Sequence, residues 1–200
     1  MGREIEDKIR VSCAGFASIE LNGKYLLCLN KSQLEQGNQV LTPFGGALEY
    51  YPDAKPFLDN LGVEYIRETP DLRLFMERDS LDLFEIWFTK RTDREVTVDR
   101  ELIEEMVLEE GIFGMLEKSE YTSEYIKTEK INIDVNDIDA FMYFEVFRVK
   151  FSLERVKFLF KQIASMNNIK LVSKEEILKG ISDDGIKIGT NSKSIIELDD

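Results

Sequence analysis

No histidine occurs anywhere in these 200 residues. That absence removes Ser-His-Asp and Cys-His catalysis, histidine-ligated zinc and the usual general base near neutral pH. Acid–base work or metal binding would fall to Asp, Glu, Lys or Tyr, and hard, oxygen-preferring ions such as Mg²⁺ or Mn²⁺ suit such a set. Cysteine is nearly as scarce. Cys13 and Cys28 sit in apolar runs without metal-type spacing and read as reduced core residues of a cytosolic protein. No stretch approaches the roughly 20 apolar residues of a membrane span. The start, "MGREIEDKIR", lacks the apolar core of a signal peptide. The expectation is a soluble, cytoplasmic protein.

Positive charge is also in deficit. Lys and Arg number 26 against 39 Asp and Glu, a formal net charge of −13, which argues against a membrane partner and against nonspecific binding of DNA, both polyanions. A nucleotide is not excluded, because a divalent cation can bridge an acidic pocket to a phosphate. Core-forming residues are plentiful, at 43% hydrophobic and 10% aromatic, and with no repeat or linker the whole of 1–200 reads as one domain.

The four prolines all precede residue 71, so longer elements belong to the second half. "VSCAGFASIELNGKYLLCLN" reads as a hairpin turning at Asn22-Gly23, "KSQLEQGNQV" as a polar loop, and "LTPFGGALEY" as a strand carrying a glycine pair. "YPDAKPFLDNLG" predicts a short helix with Pro56 in its first turn and Gly62 closing it. "DLRLFM" is strand-like. "SLDLFEIWFTKR" predicts a helix N-capped by Ser80, its aromatics Phe84, Trp87 and Phe88 read as core filling rather than base-stacking. The stretch 117–139 reads as strands or loops, and "AFMYFEVFRVKF" as a buried strand. "SLERVKFLFKQIASM" predicts a helix capped by Ser152 with Val156, Leu159, Phe160 and Ile163 on one face. A capping box from Ser173 to Glu176 opens another helix, and "IIELDD" closes the chain as an apolar run with a solvated acidic end.

Residues 100–113, "RELIEEMVLEEGIF", put five glutamates within 101–111. As a helix over about 99–110, at about 100° per residue, Leu102, Ile103, Met106 and Val107 form an inward stripe. Glu101, Glu104, Glu105 and Glu109 share the other face, interrupted by Leu108, while Glu110 points towards the apolar side. Like-charge i,i+4 pairs cost about 0.2–0.5 kcal/mol each, and glutamates in the last turn oppose the helix dipole. A divalent cation would turn that repulsion into coordination. A solvated helix face accounts for the same pattern without one.

The glycine pair adds a second feature. Gly45 and Gly46 in "TPFGGALE" let the backbone turn sharply and approach a ligand closely. Together with a downstream glutamate-rich helix ending in Gly111-Ile112, this resembles the Nudix family, whose box reads G-x5-E-x7-R-E-U-x-E-E-x-G-U (U aliphatic). "FGGALE" matches the usual opening of that box at Gly45, Gly46 and Glu49. The box is interrupted: its first Glu would fall on Pro52, and some 40 residues intervene before the helix. That pattern resembles the SMODS-associated Nudix subgroup of bacterial conflict systems that use nucleotide second messengers. Two helix registers remain open, one keeping Arg100-Glu101 and Glu104-Glu105, the other anchored on Gly111-Ile112.

The resemblance implies an α+β fold, a Nudix-like α-β-α sandwich with a mixed, strongly curved sheet and an insertion at about 52–97. It implies Glu101, Glu104, Glu105 and Glu109 as ligands for one to three Mg²⁺ or Mn²⁺ ions and as the catalytic carboxylates. Gly45, Gly46, Glu49 and Arg100 become the substrate-binding set, with Arg100 orienting the helix. The expected function is binding or sensing of a nucleoside diphosphate-type ligand with weak or absent hydrolysis, in bacterial defence or signalling. The alternatives are an active Mg/Mn-dependent pyrophosphohydrolase and a non-catalytic protein-interaction module. A protein partner or homodimer is left open.

Overall fold

The computed structural model describes residues 8–135 and 138–196. In chain order the elements are β1 (Lys8–Ser18), β2 (Glu20–Leu21), β3 (Lys24–Leu29), α1 (Lys31–Glu35), β4 (Val40–Thr42), β5 (Gly45–Ala47) and α2 (Lys55–Asn60). Then come β6 (Glu64–Tyr65), β7 (Arg73–Glu77), α3 (Leu81–Lys90) and α4 (Asp99–Ile103), the last running into a wider helical turn at Glu104–Glu109. β8 (Tyr121–Val135), β9 (Ile138–Phe151), α5 (Leu153–Ser165), β10 (Ile169–Val172), α6 (Lys174–Lys179) and β11 (Lys187–Ile188) complete the set. The class is α+β, as expected. No helix among the described residues is long and apolar enough to cross a membrane. The acidic end after Ile196 and the start before Lys8 lie outside the described residues.

The chain divides into two compact units, each with its own hydrophobic cluster. The first takes its residues from the chain up to Gly15, from Gly46–Val96 and from Thr128–Glu145. Within it β7 pairs antiparallel with β1, from Lys8↔Glu77 to Ser12↔Arg73, and β6 pairs antiparallel with β7. Alternation along β1 sends Ile9, Val11 and Cys13 into the core. α2 starts with Pro56 in its first turn, and Gly62 closes it at φ +69°, as its sequence predicts. α3 buries Leu81, Phe84, Trp87 and Phe88. The Phe84 and Trp87 rings lie 5.5 Å apart, so these aromatics fill core. Ser80 does not cap α3. Its own backbone is helical there, and its hydroxyl donates to the Leu61 carbonyl at 3.0 Å.

Behind α3 lies a buried ion pair. Arg94 and Glu145 are 0% and 1% exposed, with Nη2 to Oε1 at 2.7 Å and Nη1 to Oε2 at 3.3 Å. The same guanidinium donates from Nε and Nη2 to the Phe88 carbonyl at 3.0 and 2.6 Å, and from Nη1 to the Glu95 carbonyl. It also covers the Phe88 ring, 3.8 Å from its centroid. Arg94 therefore ties the end of α3 to β9 and leaves its charge compensated.

The second unit holds Phe16–Gly45, Thr97–Lys127 and the chain from Val146 onward. Its sheet runs β10-β3-β4-β11, with β2 on β3. β11 is parallel to β4 while the other pairs are antiparallel, so the sheet is mixed. The β2–β3 hairpin turns on Asn22 and Gly23, both at positive φ (53° and 75°), the conformation a two-residue hairpin demands. "KSQLE", expected in a polar loop, is instead the short helix α1, because the Asn30 side chain accepts from the Gln33 N–H at 3.0 Å and nucleates a turn. α5 is capped by Ser152, and the Ser173/Glu176 capping box opens α6 as its sequence predicts. Leu159 of α5 is fully buried, with Val156, Phe160 and Ile163 packed against the same core.

Candidate functional site

The acidic segment belongs to the second unit, anchored by two side chains. Leu102 and Met106 are fully buried there and Val107 is partly so. Ile103, expected in the inward stripe, is 36% exposed, since a residue about 100° round from Leu102 reaches the rim of a narrow contact. The helix is also not α throughout. From Glu104 to Glu109 the turns widen, the Glu110 N–H bonding the Glu105 carbonyl five residues back at 2.8 Å. The N–H groups of Ile112 and Phe113 both close on the Met106 carbonyl, and Gly111 takes φ +61° to let them. Such wide turns fall often at functional sites. A uniform 100° spacing therefore stops at Ile103, and Glu109 and Glu110 converge on one cation.

That cation is Lys31, the first residue of α1. Its Nζ stands 3.0 Å from Glu109 Oε2 and 3.4 Å from Glu110 Oε1. Burial works against its charge, but the hydrogen bond to Glu109 and the charges of Glu109 and Glu110 outweigh it and raise its pKa. Glu110, the outlier in the sequence pattern, is 7% exposed and also accepts from the Asn168 side-chain amide. Arg100 braces the other end, 3.0 Å from both Glu101 Oε1 and Glu104 Oε2.

Glu105 stands between these two pairs. Its Oε2 accepts the Gly45 backbone N–H at 2.6 Å. Gly45 has φ 135°, a conformation that favours glycine. Burial pushes the Glu105 carboxyl up to about 8; the Gly45 bond opposes this, and the charges of Glu101, Glu109 and Glu110 add to it. Cys28, behind it in the core, has its thiol pKa raised by burial and then by the charges of Glu105 and Glu110.

Of the residues singled out in the sequence, Gly45 and the glutamates 101, 104, 105 and 109 thus share one unit with Arg100. Gly46 and Glu49 belong to the other unit, where the Glu49 N–H donates to Glu95 Oε2 at 2.9 Å and the Glu95 N–H to the Glu49 carbonyl at 2.8 Å. Lys31 and Asn168 carried no recognisable signal, and Glu110 showed only as the outlier of the acidic helix. Lys31 meets Glu109 across 78 residues of chain, beyond the reach of any local pattern.

The donor chemistry fits a hard divalent cation: the donors are all carboxylates, one of them desolvated among like charges. Among the described residues no three such side chains yet stand together as a ligand set. Glu101, Glu104 and Glu109 are turned towards Arg100 or Lys31.

A family model described as the SMODS-associated NUDIX domain matches residues 8–196. Among curated proteins none matches the chain. Among solved structures, the solution structure of the E. coli ORF135 protein is similar over 94% of this chain and 86% of its own. The identity is 12% and the TM-score 0.40.

Proposed function

Because this chain belongs to the SMODS-associated NUDIX domain family, we propose that it binds a nucleoside diphosphate-type or other nucleotide-derived ligand through its glutamate-rich helix and a divalent cation, with weak or absent hydrolysis, in bacterial defence or signalling. The observation that carries this reading is the Gly45 N–H bond to Glu105. It joins the two sequence features that the family resemblance ties together, the glycine turn and the acidic helix, at hydrogen-bond distance. Glu101, Glu104, Glu105 and Glu109 would hold Mg²⁺ or Mn²⁺. When bound, such an ion supplies positive charge to a diphosphate and, in a hydrolase, activates water.

The remaining roles follow from the chain itself. Glu105, with a pKa of about 8, is largely protonated at neutral pH and gives up that proton when it becomes a ligand. Gly45 holds the Glu105 carboxylate through its N–H and leaves the turn without a side chain, so that a phosphate can approach the backbone. Arg100 orients Glu101 and Glu104. Gly46 and Glu49 keep the substrate-binding role that the family resemblance gives them. Weak hydrolysis fits a helix that leaves α geometry at Glu104 and whose carboxylates are already engaged.

Thermal-shift titration with nucleoside diphosphate derivatives and linear and cyclic nucleotides, with and without Mn²⁺, tests the proposal alongside a product assay. At least one nucleotide should raise the midpoint only when Mn²⁺ is present, with little or no product released. Glu105→Gln, which can still accept from Gly45, should lose that Mn²⁺-dependent rise. Flat responses throughout would leave a protein-interaction module. Rapid product release abolished by Glu105→Gln would make the chain a pyrophosphohydrolase.

A further inference from the structure

The geometry points to Lys31 as a built-in counter-cation of the acidic helix, which a divalent ion must displace before Glu109 can become its ligand. This rests on the cation-binding role proposed for that helix. Three observations converge. The ammonium contacts the carboxylates of both Glu109 and Glu110, at 3.0 and 3.4 Å. It arrives from a different element, the first turn of α1, which the Asn30 cap holds in place. Its second partner, Glu110, is 7% exposed and anchored by Asn168, so the ammonium is held at a fixed carboxylate while Glu109 remains half-exposed.

A divalent ion at Glu109 and the Lys31 ammonium repel each other and compete for one carboxylate. Binding therefore includes the loss of the Lys31–Glu109 contact. Lys31 still has Glu110 to return to, and once turned away from Glu109 it can present its charge to a phosphate brought in with the metal. Lys31 is thus a positioning and selectivity residue. It weakens binding of the bare cation and favours a cation that arrives with an anionic ligand.

The test is Mn²⁺ binding to the purified protein by calorimetry and by the loss of the free-ion paramagnetic resonance signal, with no nucleotide present. Lys31→Met should bind Mn²⁺ about two- to fivefold more tightly than the wild type, the range expected from releasing one partly exposed ion pair. Lys31→Arg should stay at the wild-type value. Lys55→Met, which removes a lysine paired with Asp59 instead, controls for the general change in net charge and should also match the wild type. Equal affinity in Lys31→Met and wild type, with binding lost in Glu105→Gln, would overturn the Lys31 role and leave the metal reading standing. The same tightening in Lys55→Met would also overturn it. No Mn²⁺ binding by any variant would overturn both.

Discussion

Burial and like charge act on Glu105 in the same direction, and the consequence is a pH-dependent stability. In the unfolded chain this carboxyl titrates near the ordinary glutamate value of 4.5, and in the folded protein near 8. Between those values the folded state binds the proton that the unfolded state has released. The stability tied to Glu105 is therefore complete below about 4.5 and is lost progressively as pH rises through 8, with a span on the order of a few kcal/mol. Urea unfolding of metal-free protein in EDTA should show stability falling between about pH 5 and about pH 8. Glu105→Gln, which has no proton to lose, should show a flatter profile. Parallel profiles would mean that the folded protein does not hold this carboxyl differently from the unfolded chain. The same residue gives the site its character, because a carboxyl kept neutral by its surroundings is one that a cation can recharge.

At the scale of elements, structure was legible where its cause lies within a few consecutive residues. Asn22-Gly23 carries its turn in two positive φ angles, and Ser173 with Glu176 carries its cap in two reciprocal bonds. The aromatic face of α3 repeats at helical spacing, and its burial followed. The widened turn at Glu104–Glu109 had no such signal, because it is set by where the Met106 carbonyl and buried side chain must sit. α1 was missed for the opposite reason: its five residues bury nothing, so no apolar period marks it. Arg94 carries no local signal in "KRTDREVT", because its partner lies 51 residues away. Yet it terminates α3 by binding the Phe88 carbonyl twice over. Arg94→Met should therefore destabilise the protein by about 3 kcal/mol, since it leaves the buried Glu145 carboxylate to the longer Arg91 contact at 3.5 Å. The double change Arg94→Met/Glu145→Leu should recover part of that loss. Urea midpoints would decide: a double variant less stable than the single would show that Glu145 has other, stronger work in the fold.

Across the whole molecule the dominant physical fact is a net charge of −13. Ion pairs such as Lys8–Glu64, Arg78–Asp139 and Lys55–Asp59 offset it locally, but they are exposed or half-exposed, and each contributes little. Summed repulsion acts over a longer range. It spans about 30 Å at 0.01 M salt and about 8 Å at 0.15 M. Raising NaCl over that interval in EDTA weakens both terms, and the two predict opposite outcomes. If local pairs governed stability, the melting midpoint would fall. If the net field governs, the midpoint should rise by a few degrees, because screening relieves the compact state more than the expanded one. We expect the rise, together with a smaller one in Glu105→Gln than in wild type when the pH is held above about 8, since the substitution removes one of the repelling charges. A falling midpoint would show that the acidic surface is neutralised by its own lysines and arginines. The acidic helix would then exert no long-range pull on a cation, and the affinity of the site would rest on its first contacts alone.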